Sequence, residues 1–427
     1  MVTLAALERS PLRRHADRHA TDIGLLPGDW SVERIGELAP KVGSGVTPRG
    51  GSKVYLSSGR PFVRSQNVGW GSLLLNELVY ISDAIHSTFS ATEVHSGDVL
   101  LNITGASIGR CAIADERLKG GNVNQHVCII RTDPARANSR FLGYVLLSDI
   151  GQRQIDSFQA GGNRQGLNFG QVRSMLIPLP PIIKEQERIA EALEDADARI
   201  ESLETLIAKK RAIKQGAMQE LLTGKRRLPG FGGEWVVSTL GAVCKTIVDG
   251  THFTPQYVDA GIPFYSVENV TADDFVNTKF IAPDEHQVLS RRCKPERGDI
   301  LLTRIGAIGD TKLIDWDVNA SIYVSLALLK CGDETDPGFL YAYTKSGRFR
   351  KDIEDRSLLN ASPKKINMGD IGNVPIPVPD RDEQAAISAV VADLEADVRS
   401  LEDRLSKARH IKQGMMQELL TGRVRLV

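Results

Sequence analysis

Histidine and cysteine side chains are the first candidates for metal chemistry, but their spacing does not support a metal site. His15 and His19 lie four residues apart, as in a zinc-protease motif, yet Ala16 stands where that motif has its catalytic glutamate. The cysteines are odd in number, widely spaced and never form a CxxC pair. Reduced, partly buried thiols are therefore predicted rather than disulfides or metal ligands. The five are Cys111, Cys128, Cys244, Cys293 and Cys331.

Glycine-rich phosphate-binding patterns are also incomplete. Gly43 and Gly45 begin a dinucleotide fingerprint, but Pro48 replaces its third glycine. Gly224 and Lys225 lack the earlier glycine and the following Ser or Thr of a P-loop. The chain also lacks an Asn-Pro-Pro-Tyr signature of adenine methyltransferases. We therefore expect a chain that is not an enzyme, with no catalytic, cofactor or metal residues of its own.

Length and composition favour a two-domain globular protein. A chain of 427 residues suits two domains of about 150 residues joined by helices. The 53 basic and 53 acidic residues balance, so any nucleic-acid binding must be local rather than driven by a basic field. No apolar run approaches the roughly 18 residues of a membrane span, and the N-terminus lacks the order of a signal peptide. We expect a cytoplasmic protein with no membrane partner.

An 11-residue phrase occurs twice, 198 residues apart. Lys214 to Gly224 reads KQGAMQELLTG, and Lys412 to Gly422 reads KQGMMQELLTG. A single difference in so long a phrase indicates an internal duplication. Upstream of each copy lies a proline-rich stop followed by Glu-Gln. These landmarks are Ile177 to Pro181 with Glu185 and Gln186, and Pro375 to Pro379 with Glu383 and Gln384.

An apolar seam with steps of four and three residues follows each Glu-Gln pair and predicts two long helices. Its members are Ile189, Leu193, Ala196, Ile200, Leu203, Ile207, Ile387, Val391, Leu394, Val398, Leu401 and Leu405. Two matching seams are expected to pack on each other. Either orientation is possible, and symmetry favours the antiparallel one. A helix from Glu185 to Leu222 would be about 57 Å long, and Gly224 and Gly422 fit a helix stop.

The two intervening segments contain short apolar runs between glycines, which predict β-rich domains. Predicted strands include Leu73–Ile81, Val99–Ile103, Val127–Ile130, Ile300–Thr303 and Ile322–Leu329, and helices are predicted near Ser139–Phe158 and Pro337–Ile353. Short islands such as Gly97–Asp98 and Gly298–Asp299 recur in both copies, while the residues between them differ. This pattern predicts one scaffold that presents two different binding surfaces.

The repeated stop, Glu-Gln pair, heptad helix and QELLTG motif resemble the DNA specificity subunit of type I restriction-modification systems. The resemblance extends from Leu26 to Leu426. It implies an α+β fold in which two β-rich target recognition domains are separated by two long helices, packed as an antiparallel, pseudo-two-fold symmetric coiled coil. The implied boundaries are 1–23 for an unassigned N-terminal extension, 24–176 and 228–374 for the recognition domains, and 177–227 and 375–427 for the spacer helices.

The resemblance also implies a non-catalytic role in DNA recognition. Each domain would read one half of a bipartite double-stranded DNA target, and the coiled coil would set the gap between the halves. The helices would dock two methyltransferase subunits, and two restriction subunits would complete the complex. S-adenosylmethionine, ATP and Mg²⁺ are expected in those partner subunits and not in this chain.

Polar and basic residues in loops between the shared islands are the candidate DNA contacts. They are Arg64, Gln66, Asn67, Asn102, Thr104, Asn163, Arg164, Gln165, Tyr265, Ser266, Glu268, Asn269, Thr303, Arg304, Ser362, Lys364 and Lys365. Each could instead be a solvated loop residue or a turn former. Turn hydrogen bonding is an equal alternative for Asn67 and Asn269, because they recur in both copies. Arg64 has no basic counterpart, which favours a role in specificity.

Two other functions compete with DNA recognition. Neutral charge and acidic helices are compatible with a coiled-coil adaptor whose domains bind proteins. DNA binding that is absent, or insensitive to salt, would favour that alternative. A stand-alone enzyme would need a catalytic motif that the sequence does not contain.

Overall fold

The computed structural model describes residues 17–160, 166–358 and 361–427. They divide into two compact units. The first holds the described residues up to Leu203 together with Arg404–Val427, and the second is Glu204–Asp403. Each unit therefore combines a β-rich domain with the beginning of one long helix and the end of the other.

The first unit contains the following described elements. Its strands are β1 (Arg18–Thr21), β2 (Gly24–Pro27), β3 (Ser31–Arg34), β4 (Lys41–Ser44), β5 (Arg60–Val63), β6 (Val79–Ile81), β7 (Val99–Asn102), β8 (Cys111–Ile113), β9 (Asn122–Val123), β10 (Val127–Arg131) and β11 (Leu176–Leu179). Its helices are α1 (Ile35–Leu38), α2 (Asp83–Ser87), α3 (Ser139–Leu147), α4 (Asp149–Gln159), α5 (Phe169–Ser174) and the first part of α6 (Ile183–Leu221).

The second unit repeats this order. Its strands are β12 (Val236–Thr239), β13 (Cys244–Asp249), β14 (Tyr257–Val258), β15 (Ile262–Tyr265), β16 (Lys279–Ile281), β17 (Ile300–Thr303), β18 (Thr311–Leu313), β19 (Ser321–Ile322), β20 (Leu326–Cys331) and β21 (Pro375–Val378). Its helices are α7 (Leu240–Val243), α8 (Val267–Ala272), α9 (Pro283–Leu289), α10 (Pro337–Thr344), α11 (Gly347–Asp355), α12 (Met368–Gly372) and the first part of α13 (Arg381–Leu419).

A four-stranded antiparallel sheet forms the centre of each domain, ordered β4-β10-β7-β8 in one and β13-β20-β17-β18 in the other. Successive residues of a strand face opposite sides of a sheet. In β7, Val99 and Leu101 accordingly join one hydrophobic cluster and Leu100 joins another. Ile300 and Leu301 divide between two clusters in the same way. Both faces are covered, which explains why these strands read as continuous apolar runs.

A smaller sheet completes each domain. It has the order β6-β5-β9 in the first and β14-β16-β15-β19 in the second. In both copies the last two strands run parallel, with Phe62 opposite Asn122 and Phe264 opposite Ser321. This matching register establishes which residues of the two domains are equivalent.

The proline-rich segments form strands rather than simple stops. β11 pairs with β3, and β21 pairs with β12, each in a separate two-stranded sheet. Proline is tolerated in such edge positions because it need not donate a ladder hydrogen bond. β1, at the end of the predicted N-terminal extension, pairs with β2, which opens the first predicted recognition domain. The β3–β11 and β12–β21 pairs therefore join the start of each domain to the segment that enters its long helix.

Four local predictions were wrong in detail. The helix predicted over Ser139–Phe158 is two helices, because Ser148 adopts an extended conformation and its hydroxyl caps the second. The helix predicted over Pro337–Ile353 breaks in the same way at Ser346. Within Leu73–Ile81 the strand is confined to β6, and Ile322–Leu329 spans the end of β19 and the start of β20.

Within each unit the two long helices run antiparallel. In the first unit Lys412 Nζ lies 2.5 Å from Asp197, and Arg425 pairs with Glu185. In the second unit Arg211 Nη2 lies 2.5 Å from Glu402, and Lys214 Nζ lies 3.3 Å from Glu395. Partner numbers rise along one helix as they fall along the other. The predicted α+β fold, with β-rich domains and two long antiparallel helices, is therefore confirmed.

The seam residues are buried or half-buried. The buried ones are Ile189, Leu193, Leu203, Ile207, Ile387, Val391, Val398 and Leu401, and the half-buried ones are Ala196, Ile200, Leu394 and Leu405. Each long helix ends beside a glycine with positive φ, 69° at Gly224 and 60° at Gly422. A left-handed residue at this position ends a helix, and glycine adopts it without strain.

Candidate nucleic-acid interface

Candidate residues of the first domain converge at the end of β7. The Asn102 side chain is buried and donates from Nδ2 to the Ser65 carbonyl over 2.8 Å. Thr104 is half-buried, with its hydroxyl 2.5 Å from His126 Nδ1. The Leu167 amide donates to the Ile103 carbonyl over 2.8 Å. The strand end therefore joins the 64–67 turn to the segment that leaves the glycine-rich loop. That loop's Asn163, Arg164 and Gln165 lie outside the described residues.

The turn after β5 divides its polar residues between interior and surface. Asn67 is buried and closes the turn, because Oδ1 accepts from the Arg64 amide at 3.0 Å and Nδ2 donates to the Leu74 carbonyl at 2.9 Å. Arg64 is half-buried over the Tyr55 ring, at 5.5 Å from its centroid. Gln66 is exposed. Among the described residues, Arg64 Nε is a buried donor without a partner.

The equivalent turn of the second domain has the same framework. Asn269 is buried and accepts from the Ser266 amide at 2.9 Å, as Asn67 does in the first domain. Ser266 is half-buried and caps α8 through its hydroxyl. Tyr265 is buried edge-on against Phe275, with ring centroids 5.0 Å apart. Glu268 is exposed, at the position of Gln66 in the first copy.

The end of β17 joins this turn to the second loop. Thr303 is buried and donates to the Asp310 carbonyl at 3.2 Å. Arg304 is also buried, and its Nε donates to the Ile366 carbonyl at 3.3 Å. The Gly306 amide donates to the Lys364 carbonyl at 2.9 Å, which fixes the SPKK loop beside the strand end. The side chains of that loop are exposed, and these are Ser362, Lys364 and Lys365.

The described candidates therefore form two groups. One group has buried side chains that bond within its own domain, and it consists of Asn67, Asn102, Tyr265, Asn269, Thr303 and Arg304. The other is exposed or half-buried at the same strand ends, and it consists of Arg64, Gln66, Thr104, Ser266, Glu268, Ser362, Lys364 and Lys365. The exposed group carries the side chains that another molecule can reach.

The sequence analysis did not predict a row of hydrogen-bonded polar side chains in the first domain. Gln125 is exposed, with Nε2 3.1 Å from His126 Nε2 and its amide oxygen bonded to Thr47. His126 in turn contacts Thr104. The equivalent positions of Gln125 and His126 in the second domain hold Val324 and Ser325. The sequence signal that could have found these residues is that they differ between the two copies just after the equivalent strands β9 and β19.

The Glu-Gln pairs are structural anchors. Glu185 and Glu383 are buried, and each meets an arginine beyond the repeated glycine. Arg227 Nε lies 2.5 Å from Glu383, and Arg425 Nη2 lies 2.7 Å from Glu185. These carboxylate hydrogen bonds raise the pKa of both guanidinium groups. The signal that could have found them is an arginine three residues after Gly224 and after Gly422.

The adjacent glutamines fasten each long helix to its recognition domain. Gln186 Oε1 accepts from the Asn138 amide, and Gln384 Oε1 accepts from the Asp336 amide, both at 2.8 Å. Asn138 and Asp336 are the residues that cap α3 and α10. Each glutamine thus bonds the helix cap of the neighbouring element, which gives the long helix a fixed starting position.

The described residues contain no arrangement suited to metal or thiol chemistry. No group of three His, Cys, Asp or Glu among them could hold a metal ion. All five cysteines are free, and burial raises the pKa of each thiol to about 12. No helix in the described part of the chain is long and apolar enough to cross a membrane.

The sequence is similar to that of a known protein family. The profile of the type I restriction modification DNA specificity domain matches residues 27–210 and again 232–408. The putative type I restriction enzyme MjaX specificity subunit of Methanocaldococcus jannaschii is 24% identical over 95% of this chain and 96% of its own length. The EcoBI specificity subunit of Escherichia coli is 23% identical over 70% of this chain and 67% of its own length.

A solved structure shares the fold. The type I restriction-modification system S subunit from M. genitalium has a TM-score of 0.60 at 18% identity, and the match covers 91% of this chain and 96% of that one. The profile alone spans most of the chain in two copies. Its two matches coincide with the duplicated β-rich domains and their helices, so the chain belongs to the type I restriction modification DNA specificity family.

Proposed function

We propose that each β-rich domain of this non-catalytic specificity subunit reads one half of a bipartite DNA target. The observation that carries the proposal is the contrast between the interiors and surfaces of the two copies. Asn67 and Asn269 close equivalent turns with the same hydrogen bonds. The residue immediately before each asparagine is exposed, and it differs between the copies: it is Gln66 in the first and Glu268 in the second.

These exposed side chains suit base recognition. Glutamine and asparagine form paired hydrogen bonds with adenine in the major groove, and glutamate accepts from cytosine. Lysine contributes mainly through phosphate contacts, and Lys364 and Lys365 are both exposed in a loop held at the strand end. Two scaffolds with different surface residues can therefore recognise two different short sequences. We further propose that the length of the long helices sets the gap between them.

The repeated phrase is proposed to dock two copies of one partner, the methyltransferase subunit. The Gln-Gly pair of the phrase is exposed on the helix surface in both copies. These residues are Gln215 and Gly216 in the first copy, and Gln413 and Gly414 in the second. A Cβ added at either glycine would meet nothing within 4 Å. Glycine inside a helix costs about 1 kcal/mol relative to alanine. Its presence in both copies without an internal reason supports close approach by a partner's backbone.

In this proposal the chemistry belongs to the partners. Two methyltransferase subunits would bind S-adenosylmethionine, and two restriction subunits would use ATP and Mg²⁺. The complex would act in the cytoplasm, where its DNA target lies. The specificity subunit would supply only the choice of sequence.

The test is the methylome of a host that expresses this chain with its methyltransferase partner. We expect N6-methyladenine at one asymmetric sequence made of two short half-sites and a fixed gap. A host that expresses the methyltransferase alone is the control. Methylation at an ungapped motif, or methylation that does not depend on this chain, would contradict the proposal.

A further inference from the structure

The second domain contains a cleft that the proposed base contacts do not use. It has a volume of about 420 Å³ and lies between the loop after β13 and the end of α9. Thr251, His252 and Phe253 line it from the loop, and Val288 and Arg292 line it from the other side. No acidic residue lines the cleft within the described part of the chain.

Positive charge is concentrated beside this cleft. The carboxylate of the buried Asp249 is the acceptor for three side chains, two arginines and a histidine. Arg292 Nη2 is 2.5 Å away, His252 Nε2 is 2.8 Å away and Arg304 Nη1 is 3.1 Å away. One carboxylate balances only one of the two guanidinium charges, so the cluster keeps a positive surplus even with a neutral histidine. Arg304 is buried, whereas 57% of the Arg292 side chain is exposed.

The described residues of the first copy do not repeat this cluster. Strand register places Ser44 of the first domain at the position of Asp249, and each is followed by a glycine. A Cβ at that glycine would collide with the carbonyl of the adjacent parallel strand in both copies. From there the first copy reads GVTP and the second reads GTHFTP. The two additional residues extend the loop of the second domain and enlarge its wall of the cleft.

We infer that this cleft binds one phosphodiester of the DNA backbone beside the half-site read by the second domain, an inference that rests on the proposed function. Arg292 donates one N–H to Asp249 and another to the Gly250 carbonyl at 3.1 Å. An arginine has five N–H donors, so the remainder are available for phosphate oxygens. Asp249 holds the guanidinium in place before DNA arrives, which lowers the entropy lost on binding. The ring of Phe253, 57% exposed, offers an apolar surface to a deoxyribose.

The position of the cleft agrees with such a contact. Arg304 connects Asp249 to the candidate interface, because its Nε bonds to the Ile366 carbonyl after the SPKK loop. The Arg304 amide also donates to the Ser325 carbonyl at 2.9 Å, and the Ser325 hydroxyl accepts from the Val267 amide at 3.1 Å. The phosphate cleft and the exposed base-contact candidates are therefore held together by one short hydrogen-bonded network.

The experiment measures DNA affinity against salt for the complex with the methyltransferase partner. Each phosphate contact contributes a slope of about −0.9 to a plot of log affinity against log salt. We expect Arg292→Gln to weaken binding and make the slope shallower by about 1, with both half-sites in the methylome unchanged. Arg297→Gln is the matched control, because Arg297 is an exposed arginine of the same domain that pairs with Asp317 at 3.6 Å. The control should keep the wild-type slope.

A second measurement avoids dependence on one variant. The wild-type complex is assayed on duplexes that carry a single neutral methylphosphonate at successive positions. We expect one position flanking the second half-site to weaken binding, and Arg292→Lys, which retains the charge beside Asp249, to lose less affinity than Arg292→Gln. A wild-type slope for Arg292→Gln, a change in recognised bases, or no sensitive phosphate at that flank would overturn the inference. A wild-type complex that ignores gapped DNA would instead overturn the proposed function.

Discussion

At the scale of single residues, the buried ion pair at the start of α6 gives a prediction about stability. Arg425 is buried against Glu185 and also contacts Asp29 at 2.8 Å. Removing one partner of a buried pair leaves an uncompensated charge, which costs roughly 3–5 kcal/mol. We expect that loss in the free energy of unfolding of Arg425→Gln, measured by chemical denaturation.

The neighbouring Arg423 provides the control for this prediction. It is exposed and pairs with Glu418 at 3.1 Å, and exposed pairs contribute about 0–1 kcal/mol. The double variant Glu185→Gln with Arg425→Gln should recover part of the lost stability, because no charge then remains buried. Equal losses for Arg423→Gln and Arg425→Gln would contradict the assigned role.

Adjacent residues in the first recognition turn should separate specificity from stability. Gln66 is exposed, so Gln66→Ala should change the free energy of unfolding by less than about 0.5 kcal/mol. It should relax base preference in one half-site of the methylome. Asn67→Ala removes both hydrogen bonds that close the turn and should cost roughly 1–3 kcal/mol. The reverse pattern would assign base reading to Asn67.

At the scale of elements, replacing the exposed glycines of the long helices should stabilise the helices but weaken binding of the partner. Gly216→Ala and Gly414→Ala meet no neighbouring atoms, so each should stabilise its helix by up to about 1 kcal/mol. If a partner packs closely there, the same changes should weaken methyltransferase binding, measured by titration calorimetry. Gln219→Ala, on the exposed surface of the same repeat, controls for loss of a single polar contact. Stabilisation without weaker binding would place the docking surface elsewhere.

Much of the helical architecture was predictable from sequence because periodicity is a local signal. The seam predicted a helix from Glu185 to Leu222, and α6 spans Ile183–Leu221. The break at Ser148 was not predicted, because a serine cap competes with continuation of the helix only when tertiary packing favours the cap. The Glu185 partner was missed because Arg425 is 240 residues away in sequence.

In the candidate site, the alternative of turn hydrogen bonding predicted the contacts of Asn67. The Asp249 cluster was not predicted, because it depends on the register of strands that are distant in sequence.

At the scale of the whole molecule, helix length should determine the gap of the DNA target. Inserting one heptad into each long helix, at equivalent positions of the seam, lengthens each by about 10 Å while preserving the apolar pattern. At 3.4 Å per base pair this corresponds to about 3 base pairs. We expect the methylome to show both half-sites unchanged with a correspondingly longer gap. An unaltered gap would exclude the helices as its determinant.

The first unit is built from two segments that are far apart in the sequence. The ribosome makes the chain in sequence order, so these two segments are made at different times. The second unit is the continuous segment Glu204–Asp403, whereas the first needs Arg404–Val427 to cover Glu185 and to complete its hydrophobic cluster. Domains generally fold as units while the ribosome is still translating. The recognition domain that is made first therefore needs residues 404–427, which are made only after the whole of the second unit. The domain that is made second has all of its residues available earlier.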